Sequence, residues 1–342
     1  MALYNRVNGR VLKEKMRTAQ EKRVTISFYK YHQISDPSGF RNDLYQELES
    51  CQVLGRIYVA HEGINAQISV PDAQLESFKS HLYSIPWLTG VRLNIAVQDD
   101  GRSFFKLKIL VRKKIVADGL DDQSFDVTNS GVHVNAVEFN KLADDPNTVI
   151  VDMRNHYESE VGHFKNAVLP DVDTFREELQ VVEDLMRDQK DKNLLMYCTG
   201  GIRCEKASAW MKHVGFKNVF QLDGGIIKYA QEVKNQGIEN KFIGKNFVFD
   251  ERLGERITED IIAVCHQCGK PCDDHTNCKN DGCHLLFIQC TECAAKYNAC
   301  CSEECQGIMA LPEEQQREMR KGINKGRQVF KKGRSENIRH KN

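Results

Sequence analysis

The sequence lacks any long hydrophobic run. No stretch approaches the ~18 consecutive apolar residues that a membrane-spanning helix needs. Residues 1–17 contain no apolar segment ahead of a small-residue cleavage site, as a secretory signal would. We therefore expect neither a membrane span nor secretion, and the sequence predicts a cytoplasmic protein.

The sequence also lacks internal repeats, low-complexity tracts and a Gly-x-Gly-x-x-Gly dinucleotide fingerprint in a βαβ pattern. A tightly bound flavin or nicotinamide is therefore not expected. Disorder throughout is excluded, because 41% of the 342 residues are hydrophobic and 28% are charged. The length instead suggests two or three folded domains.

The chain carries no net charge, but its charges are unevenly distributed. Residues 1–23 contain seven Lys or Arg and two Glu, and residues 317–342 contain ten and two. The interior is correspondingly acidic. Basic ends can hold a polyanion such as nucleic acid, or they can be solvated tails that keep the protein soluble. Charge alone leaves both interpretations open.

Residues 1–118 alternate between strand-like and helix-like patterns. Helices are predicted over 39–51 and 72–82, and strands over 25–31, 55–59, 64–70, 91–97 and 106–116. This pattern suits a small α+β sandwich of the ferredoxin or acylphosphatase type. The polar stretch 119–131 is predicted to be a linker.

Residues 132–235 have an α/β pattern. Short buried strands are predicted over 147–153, 193–198 and 218–222, with helices over 174–188 and 204–214 between them. Such alternation favours a mostly parallel sheet covered on both faces. A Cys-rich segment, 236–310, and a basic tail, 311–342, complete the predicted α/β and α+β multidomain organisation.

The strongest local signal is a Gly-rich loop between a predicted strand and a predicted helix. It consists of Cys198, Thr199, Gly200, Gly201, Ile202 and Arg203. Parallel sheets place ligands beyond the carboxyl ends of their strands, where Cys198 falls. The glycines let backbone N–H groups curl toward the sulfur, and the helix N-terminus and the arginine favour its thiolate form. Cys198 is therefore the predicted catalytic nucleophile, and a buried structural cysteine is the alternative.

The loop and the segment before it resemble the rhodanese superfamily of sulfurtransferases. Arg203 closes a six-residue loop, shorter than the Cys-x5-Arg loop of cysteine phosphatases. The matching upstream motif comprises Asp152, Arg154, Glu158 and the run Gly162-His163-Phe164-Lys165-Asn166-Ala167. We interpret Asp152, Arg154 and His163 as mainly structural.

Three longer segments resemble rhodanese-like tRNA uridine(34) hydroxylases: residues 55–67, 197–208 and 265–290. This resemblance implies an acylphosphatase-like N-terminal domain, a rhodanese domain and a Cys-rich C-terminal segment. It also implies oxygen-dependent conversion of the wobble uridine of tRNA to 5-hydroxyuridine, with Cys198 able to carry a persulfide. Molecular oxygen would be a co-substrate, the tRNA anticodon stem-loop the partner, and a further protein could donate sulfur or electrons.

Two other functions remain open at this stage. A plain sulfurtransferase would use Cys198 equally well, but it leaves the N-terminal domain and the basic ends without a task. A non-catalytic RNA-binding adaptor with a vestigial rhodanese domain is the third interpretation, and the intact Cys198 argues against it.

The bend between two predicted N-terminal strands carries several polar residues. His61, Glu62 and Asn65 could line a nucleotide pocket that faces the Cys198 loop, and Arg56 could bind a phosphate. A capped turn with satisfied polar groups is the alternative interpretation.

Ten of the thirteen cysteines lie between Cys265 and Cys305. Two Cys-x2-Cys pairs, Cys265 with Cys268 and Cys290 with Cys293, resemble a zinc ribbon and predict a structural zinc site. The remaining cysteines, together with His266, His275 and His284, could supply a second site. An iron–sulfur cluster or packed, reduced thiols are the alternatives.

Overall fold

The structure is a computed structural model that describes residues 3–5, 7–122, 124–322, 334 and 338. Its first sheet has the order β4-β1-β3-β2-β5, in which β5 runs parallel to β2 and the other pairs are antiparallel. The strands are β1 (Arg23–Tyr31), β2 (Leu54–Ala60), β3 (Gly63–Pro71), β4 (Asn94–Ile95) and β5 (Leu107–Val111). Three helices accompany them: α1 (Gly9–Thr18), α2 (Pro37–Ser50) and α3 (Leu75–Ser84).

Alternation along the strands gives this sheet two different faces. One face is apolar and forms the core beneath α2 and α3, where Ile26, Ile57 and Ile68 are fully buried. Asp36 caps the N-terminus of α2, because its carboxylate accepts hydrogen bonds from the backbone N–H groups of Ser38 and Gly39. The other face is polar and points toward the second domain.

Two predicted strands are shorter than the sequence pattern suggests. The strand predicted over 106–116 ends at Val111, because its partner β2 ends at Ala60 and offers nothing further to pair with. The strand predicted over 91–97 pairs with β1 only at Asn94 and Ile95. The helix predicted over 72–82 starts with the 3-10 turn Asp72–Gln74 before α3.

The second sheet is parallel and has the order β6-β10-β9-β7. Its strands are β6 (Val132–Val134), β7 (Thr148–Asp152), β9 (Asn193–Tyr197) and β10 (Asn218–Leu222). Leu194 and Met196 pack on one face, and Leu195 and Tyr197 pack on the other. The helices of this domain are α4 (Ala136–Ala143), α5 (His156–Ser159), α6 (Phe175–Met186), α7 (Ile202–His213) and α8 (Gly225–Gln236). The predicted parallel sheet, covered on both faces, is confirmed.

The C-terminal part is attached to the second domain through a small antiparallel sheet. In it, β11 (Phe242–Asn246) pairs with both β12 (Glu255–Arg256) and β8 (Gly162–Phe164). The Cys-rich segment adds the hairpin of β13 (His275–Asn277) and β14 (Leu286–Ile288). Helices α9 (Thr291–Lys296), α10 (Glu303–Ala310) and α11 (Glu313–Arg320) follow.

Among the described residues, no helix has the length and apolar character needed to cross a membrane. Most of the predicted basic tail, residues 323–342 except 334 and 338, lies outside the described residues.

Candidate active site

The Cys198 loop connects the end of β9 to the start of α7. Cys198 is buried, with 1% of its surface exposed. The backbone N–H of Gly201 donates to Cys198 Sγ over 3.2 Å, and Gly201 has a φ of +99° that suits glycine. The backbone N–H of Ile226, in α8, donates to the carbonyl of Cys198 over 3.0 Å. The loop is therefore held on one side by α7 and on the other by α8.

This environment favours the thiolate form of Cys198. Burial by itself raises the pKa of the thiol, but the Cys204 thiol, the Arg203 guanidinium and the backbone N–H groups of Cys204 and Arg203 overcome that effect. Together they lower the pKa of Cys198 to about 6. Burial and the adjacent Cys198 thiolate raise the pKa of Cys204 well above the usual range, so Cys204 keeps its proton and can donate it in a hydrogen bond.

Arg203 is fixed by a carboxylate that lies 45 residues earlier in the chain. Its two terminal nitrogens donate to the two oxygens of Glu158 over 2.7 and 2.8 Å. Both side chains are buried, so the pair has little freedom to move. Arg203 can therefore hold a fixed orientation at the start of α7, close enough to Cys198 to stabilise its charge.

A second buried carboxyl group lies near Arg203. Glu178, in α6, is fully buried, and both of its carboxyl oxygens lack a hydrogen-bond partner among the described residues. Burial is the main cause that raises the pKa of Glu178 well above its usual range, and Asp152, Glu158 and Cys198 add to the effect. This environment favours the protonated, neutral form of Glu178 behind the loop.

Asp152 and Arg154 form a buried network beneath the loop. Arg154 donates two hydrogen bonds to Asp152, over 2.8 and 2.7 Å, and a third to the carbonyl of Gly162. Tyr197 Oη also donates to Asp152 over 2.7 Å. His163 Nδ1 lies 3.0 Å from the carbonyl of Phe164. These contacts are compatible with the structural roles expected from the sequence.

The polar face of the first sheet lies opposite the Cys198 loop. Two rows of side chains cross it in register: Ser27, Gln67 and Arg56 form one, and Tyr29, Asn65 and Tyr58 form the other. Tyr29 Oη donates to Glu205 in α7 over 2.9 Å, and Asn94 Nδ2 lies 3.4 Å from the carbonyl of Gly200.

A cavity of about 860 Å³ lies between the first sheet, the Cys198 loop and the segment before β12. Cys198, Thr199, Gly200, Ile202 and Arg203 line it, together with both rows of the sheet. The Thr199 hydroxyl is buried and has no hydrogen-bond partner among the described residues, so it can bond to a ligand. The volume is within the ~300–1,000 Å³ typical of small-molecule sites.

The four N-terminal residues singled out from the sequence lie in different places. Arg56 and Asn65 line the cavity, and Asn65 Nδ2 donates to the carbonyl of Ile115 over 3.1 Å. His61 is exposed at the β2–β3 turn, where its Nδ1 lies 2.9 Å from the carbonyl of Ile34. Glu62 forms an ion pair with Lys206 over 2.8 Å. Neither His61 nor Glu62 lines the cavity.

Sequence reasoning missed several residues that surround Cys198. Tyr29, Tyr58 and Gln67 are polar positions that alternate with core residues, and this alternation normally indicates a solvent-facing side of a sheet. Glu158 belongs to the matched motif, but the motif alone does not indicate its ion pair with Arg203. Glu178 carries no local signal, because an acidic residue in an amphipathic helix is normally expected on its exposed face.

The predicted metal ligands are brought together. The sulfur atoms of Cys265, Cys268, Cys290 and Cys293 all lie within 4.8 Å of one another. Cys268 Sγ and Cys290 Sγ are 3.7 Å apart. Four cysteines in this arrangement can hold a metal ion.

Comparison with known protein families agrees with this architecture. Residues 23–115 match the UPF0176 acylphosphatase like domain, residues 135–232 match the rhodanese-like domain, and residues 243–306 match the rhodanase C-terminal domain. The three-part fold expected from the sequence is thereby confirmed. The parallel sheet and the cysteine loop define a rhodanese-like enzyme.

Many relatives resemble the chain over nearly its whole length. The tRNA uridine(34) hydroxylase of Enterobacter sp. (strain 638) is 58% identical over 333 residues, which cover 97% of this chain and 95% of that protein. The tRNA uridine(34) hydroxylase of Pectobacterium atrosepticum is 59% identical over 331 residues, covering 96% and 93%. The chain belongs to the tRNA uridine(34) hydroxylase family.

Proposed function

We propose that the protein hydroxylates the wobble uridine of tRNA to 5-hydroxyuridine in the cytoplasm, with molecular oxygen as co-substrate. The observation that carries the proposal is the cavity between the first sheet and the Cys198 loop, in a chain that belongs to this family. The cavity can receive a single nucleotide. An unpaired anticodon loop supplies one, because its bases can be turned out of the stack.

Each wall of the cavity has a part in this proposal. Cys198 is the catalytic nucleophile, and the Thr199–Arg203 loop stabilises its thiolate or its persulfide. Arg56 binds a phosphate, and Asn65 forms hydrogen bonds with the base. Tyr29 and Tyr58 offer aromatic rings next to these polar groups, on which a base can stack. His61 and Glu62 act only indirectly, since they lie outside the lining.

The reaction requires electrons from outside the cavity. Inserting one oxygen atom of O2 into the C5–H bond leaves the other atom to be reduced to water, which consumes two electrons and two protons. A reductant protein would supply these two electrons and would itself be oxidised, whereas a sulfur donor would place a persulfide on Cys198. No tightly bound cofactor is assigned to the loop itself.

The basic ends of the chain provide contacts for the rest of the tRNA. Such contacts with phosphates are largely independent of sequence and weaken with salt. A structural zinc ion at Cys265, Cys268, Cys290 and Cys293 would fix the C-terminal segment, because four thiolates are the usual ligands of a closed zinc site.

Nucleoside mass spectrometry of tRNA tests this function. Cells lacking the protein are complemented with wild type, with Cys198→Ala or with Cys51→Ala. Cys51 lies in the core of the first domain, so its substitution is a matched control outside the cavity. We expect 5-hydroxyuridine derivatives to disappear without the protein, to return with wild type and Cys51→Ala, and to stay absent with Cys198→Ala.

Other outcomes favour the competing functions. If a thiolated nucleoside falls while hydroxylated uridine is unchanged, the protein is a sulfurtransferase. If Cys198→Ala restores the modification fully, the protein acts without its cysteine, as an adaptor would. The cells used should also lack any other pathway that hydroxylates this uridine, so that a loss of 5-hydroxyuridine is not masked.

A further inference from the structure

The Cys-rich segment contains a second group of four cysteines, separate from the first. The sulfur atoms of Cys278, Cys283, Cys301 and Cys305 all lie within 4.8 Å of one another. Neither group of four includes a histidine, and His266 instead forms a 2.7 Å contact with Glu160. We propose that this second group binds its own zinc ion and that the two zinc sites form one interleaved, mutually dependent module.

The spacing of the sulfur atoms fits a tetrahedral metal ion. With Zn–S bonds of about 2.3 Å, the sulfurs of a tetrahedral site lie about 3.8 Å apart. Cys283 Sγ and Cys301 Sγ are 3.7 Å apart, and Cys301 Sγ and Cys305 Sγ are 3.8 Å apart. These distances are far longer than a disulfide of about 2.05 Å. They also disfavour a polynuclear iron–sulfur cluster, in which the four thiolates are divided among two or more irons and the sulfurs on different irons lie farther apart.

Polar hydrogens point at the sulfur atoms of both groups. The backbone N–H of Cys301 donates to Cys278 Sγ over 3.4 Å, and Asn280 Nδ2 donates to Cys305 Sγ over 3.4 Å. In the first group the backbone N–H of Cys290 donates to Cys265 Sγ, also over 3.4 Å. Such hydrogen bonds stabilise the negative charge of thiolate ligands, as outer contacts of metal sites commonly do.

The ligands of the two groups alternate along the chain. The pair Cys265 and Cys268 is followed by Cys278 and Cys283 of the second group; the first group resumes at Cys290 and Cys293, and the second at Cys301 and Cys305. Each site therefore closes a loop that contains half of the other site. Neither can be assembled without ordering a segment that the other also needs.

Buried glutamines link the two sites directly. Gln267 lies between two ligands of the first group, and its Nε2 donates to the carbonyls of Cys300 and Cys301 over 3.0 Å. Gln289 Nε2 donates to Gln267 Oε1 over 2.8 Å and to the carbonyl of Cys300 over 3.2 Å. Because both glutamines are buried, loss of the second site leaves polar groups beside the first site without partners.

Zinc stoichiometry of the full-length protein tests the proposal, by native mass spectrometry and elemental analysis. We expect two zinc ions per wild-type chain. Cys301→Ser should lower the content to one or less, and release of the remaining zinc to a chelator should be faster than from wild type. Cys272→Ser is the matched control, because Cys272 is a buried cysteine of the same segment and belongs to neither group. It should retain two zinc ions and wild-type release.

Several results would overturn the inference. They are a single zinc ion in wild type, an unchanged content in Cys301→Ser, and a visible iron chromophore in place of zinc. If Cys301→Ser loses the second zinc ion but releases zinc from the first site at the wild-type rate, the two sites are not mutually dependent. The wild-type measurement needs no variant to fold, and it is independent of tRNA hydroxylation. Failure here therefore leaves the proposed function untouched.

Discussion

At the residue scale, the pKa of Cys198 is raised by burial and lowered by several neighbours, of which the Cys204 thiol has the largest effect. The pKa of Cys198 is about 6, and the hydrogen bond from the Cys204 thiol is the largest effect that lowers it. We expect Cys204→Ala to move the midpoint of Cys198 alkylation to higher pH. Iodoacetamide labelling over pH 5–10 measures it by peptide mass spectrometry, and cleavage at Arg203 separates the two cysteines.

Cys204→Ser is the matched variant, because a serine hydroxyl still donates a hydrogen bond. It should keep the midpoint close to wild type. A wild-type midpoint at the ordinary cysteine value, about 8.5, would contradict the assignment. The lowered pKa of Cys198 also makes the free energy of unfolding depend on pH. The thiolate stabilises the fold at pH values above the pKa of an unfolded cysteine, and this contribution is lost as the pH falls through about 6.

Which residues of the site the sequence predicts depends on how far apart in the chain they lie. The loop from Cys198 to Arg203 is contiguous in the sequence, so its glycines and its arginine together predict a thiolate site. Glu158 meets Arg203 across 45 residues, and Tyr29 meets Glu205 across 176. Contacts between distant segments depend on tertiary packing, which one sequence does not reveal.

At the element scale, the N-terminus of α8 supports the carbonyl side of the Cys198 loop. A Cβ at Gly225, where φ is +66°, would lie 2.5 Å from the carbonyl oxygen of Cys198 and 2.6 Å from that of Thr199. Gly225→Ala should therefore destabilise the protein by more than the ~1–2 kcal/mol of left-handed strain alone. Urea unfolding measures the stability, and the alkylation midpoint of Cys198 should shift as well.

Gly237→Ala provides the matched comparison on the same helix. Its φ is +64°, nearly that of Gly225, but no atom lies within 4 Å of the added Cβ. It should cost only the backbone strain and leave Cys198 unchanged. Equal effects of the two substitutions would show that steric contact with the loop is unimportant.

Elements with a clear hydrophobic period were the most predictable. The buried strands β7, β9 and β10 agree with the sequence pattern, because a parallel sheet is apolar on both faces. The strand predicted over 91–97 forms only the two-residue strand β4. The early end of β5 was not predicted, since it depends on the length of its partner β2. The boundaries proposed for the linker and for the segment that follows the rhodanese domain stay predictions.

At the scale of the whole molecule, the cavity exists only where separate domains meet, so no single motif indicates it. Lys206 in α7, whose side chain is 2% exposed, is central to that junction. Its Nζ lies 2.8 Å from Glu62 of the first domain and 2.6 Å from Asp122 of the connecting segment. The carboxylate of Asp118 lies 3.6 Å from the same Nζ, so the single ammonium group of Lys206 is paired with three carboxylates.

Lys206→Met keeps most of the apolar stem but leaves these carboxylates facing one another, while Lys114 still pairs with Asp118 and Asp122. Removing one partner of a buried ion pair costs about 3–5 kcal/mol. We expect lower stability, together with faster proteolysis of the 112–131 segment, as the first domain separates from α7. Lys217→Met is the control, because Lys217 pairs with Asp191 on the exposed surface, and it should change neither readout. If Lys206→Met were as stable and as resistant to protease as wild type, the first domain would be held over Cys198 by its other contacts, such as the Arg92–Asp223 ion pair.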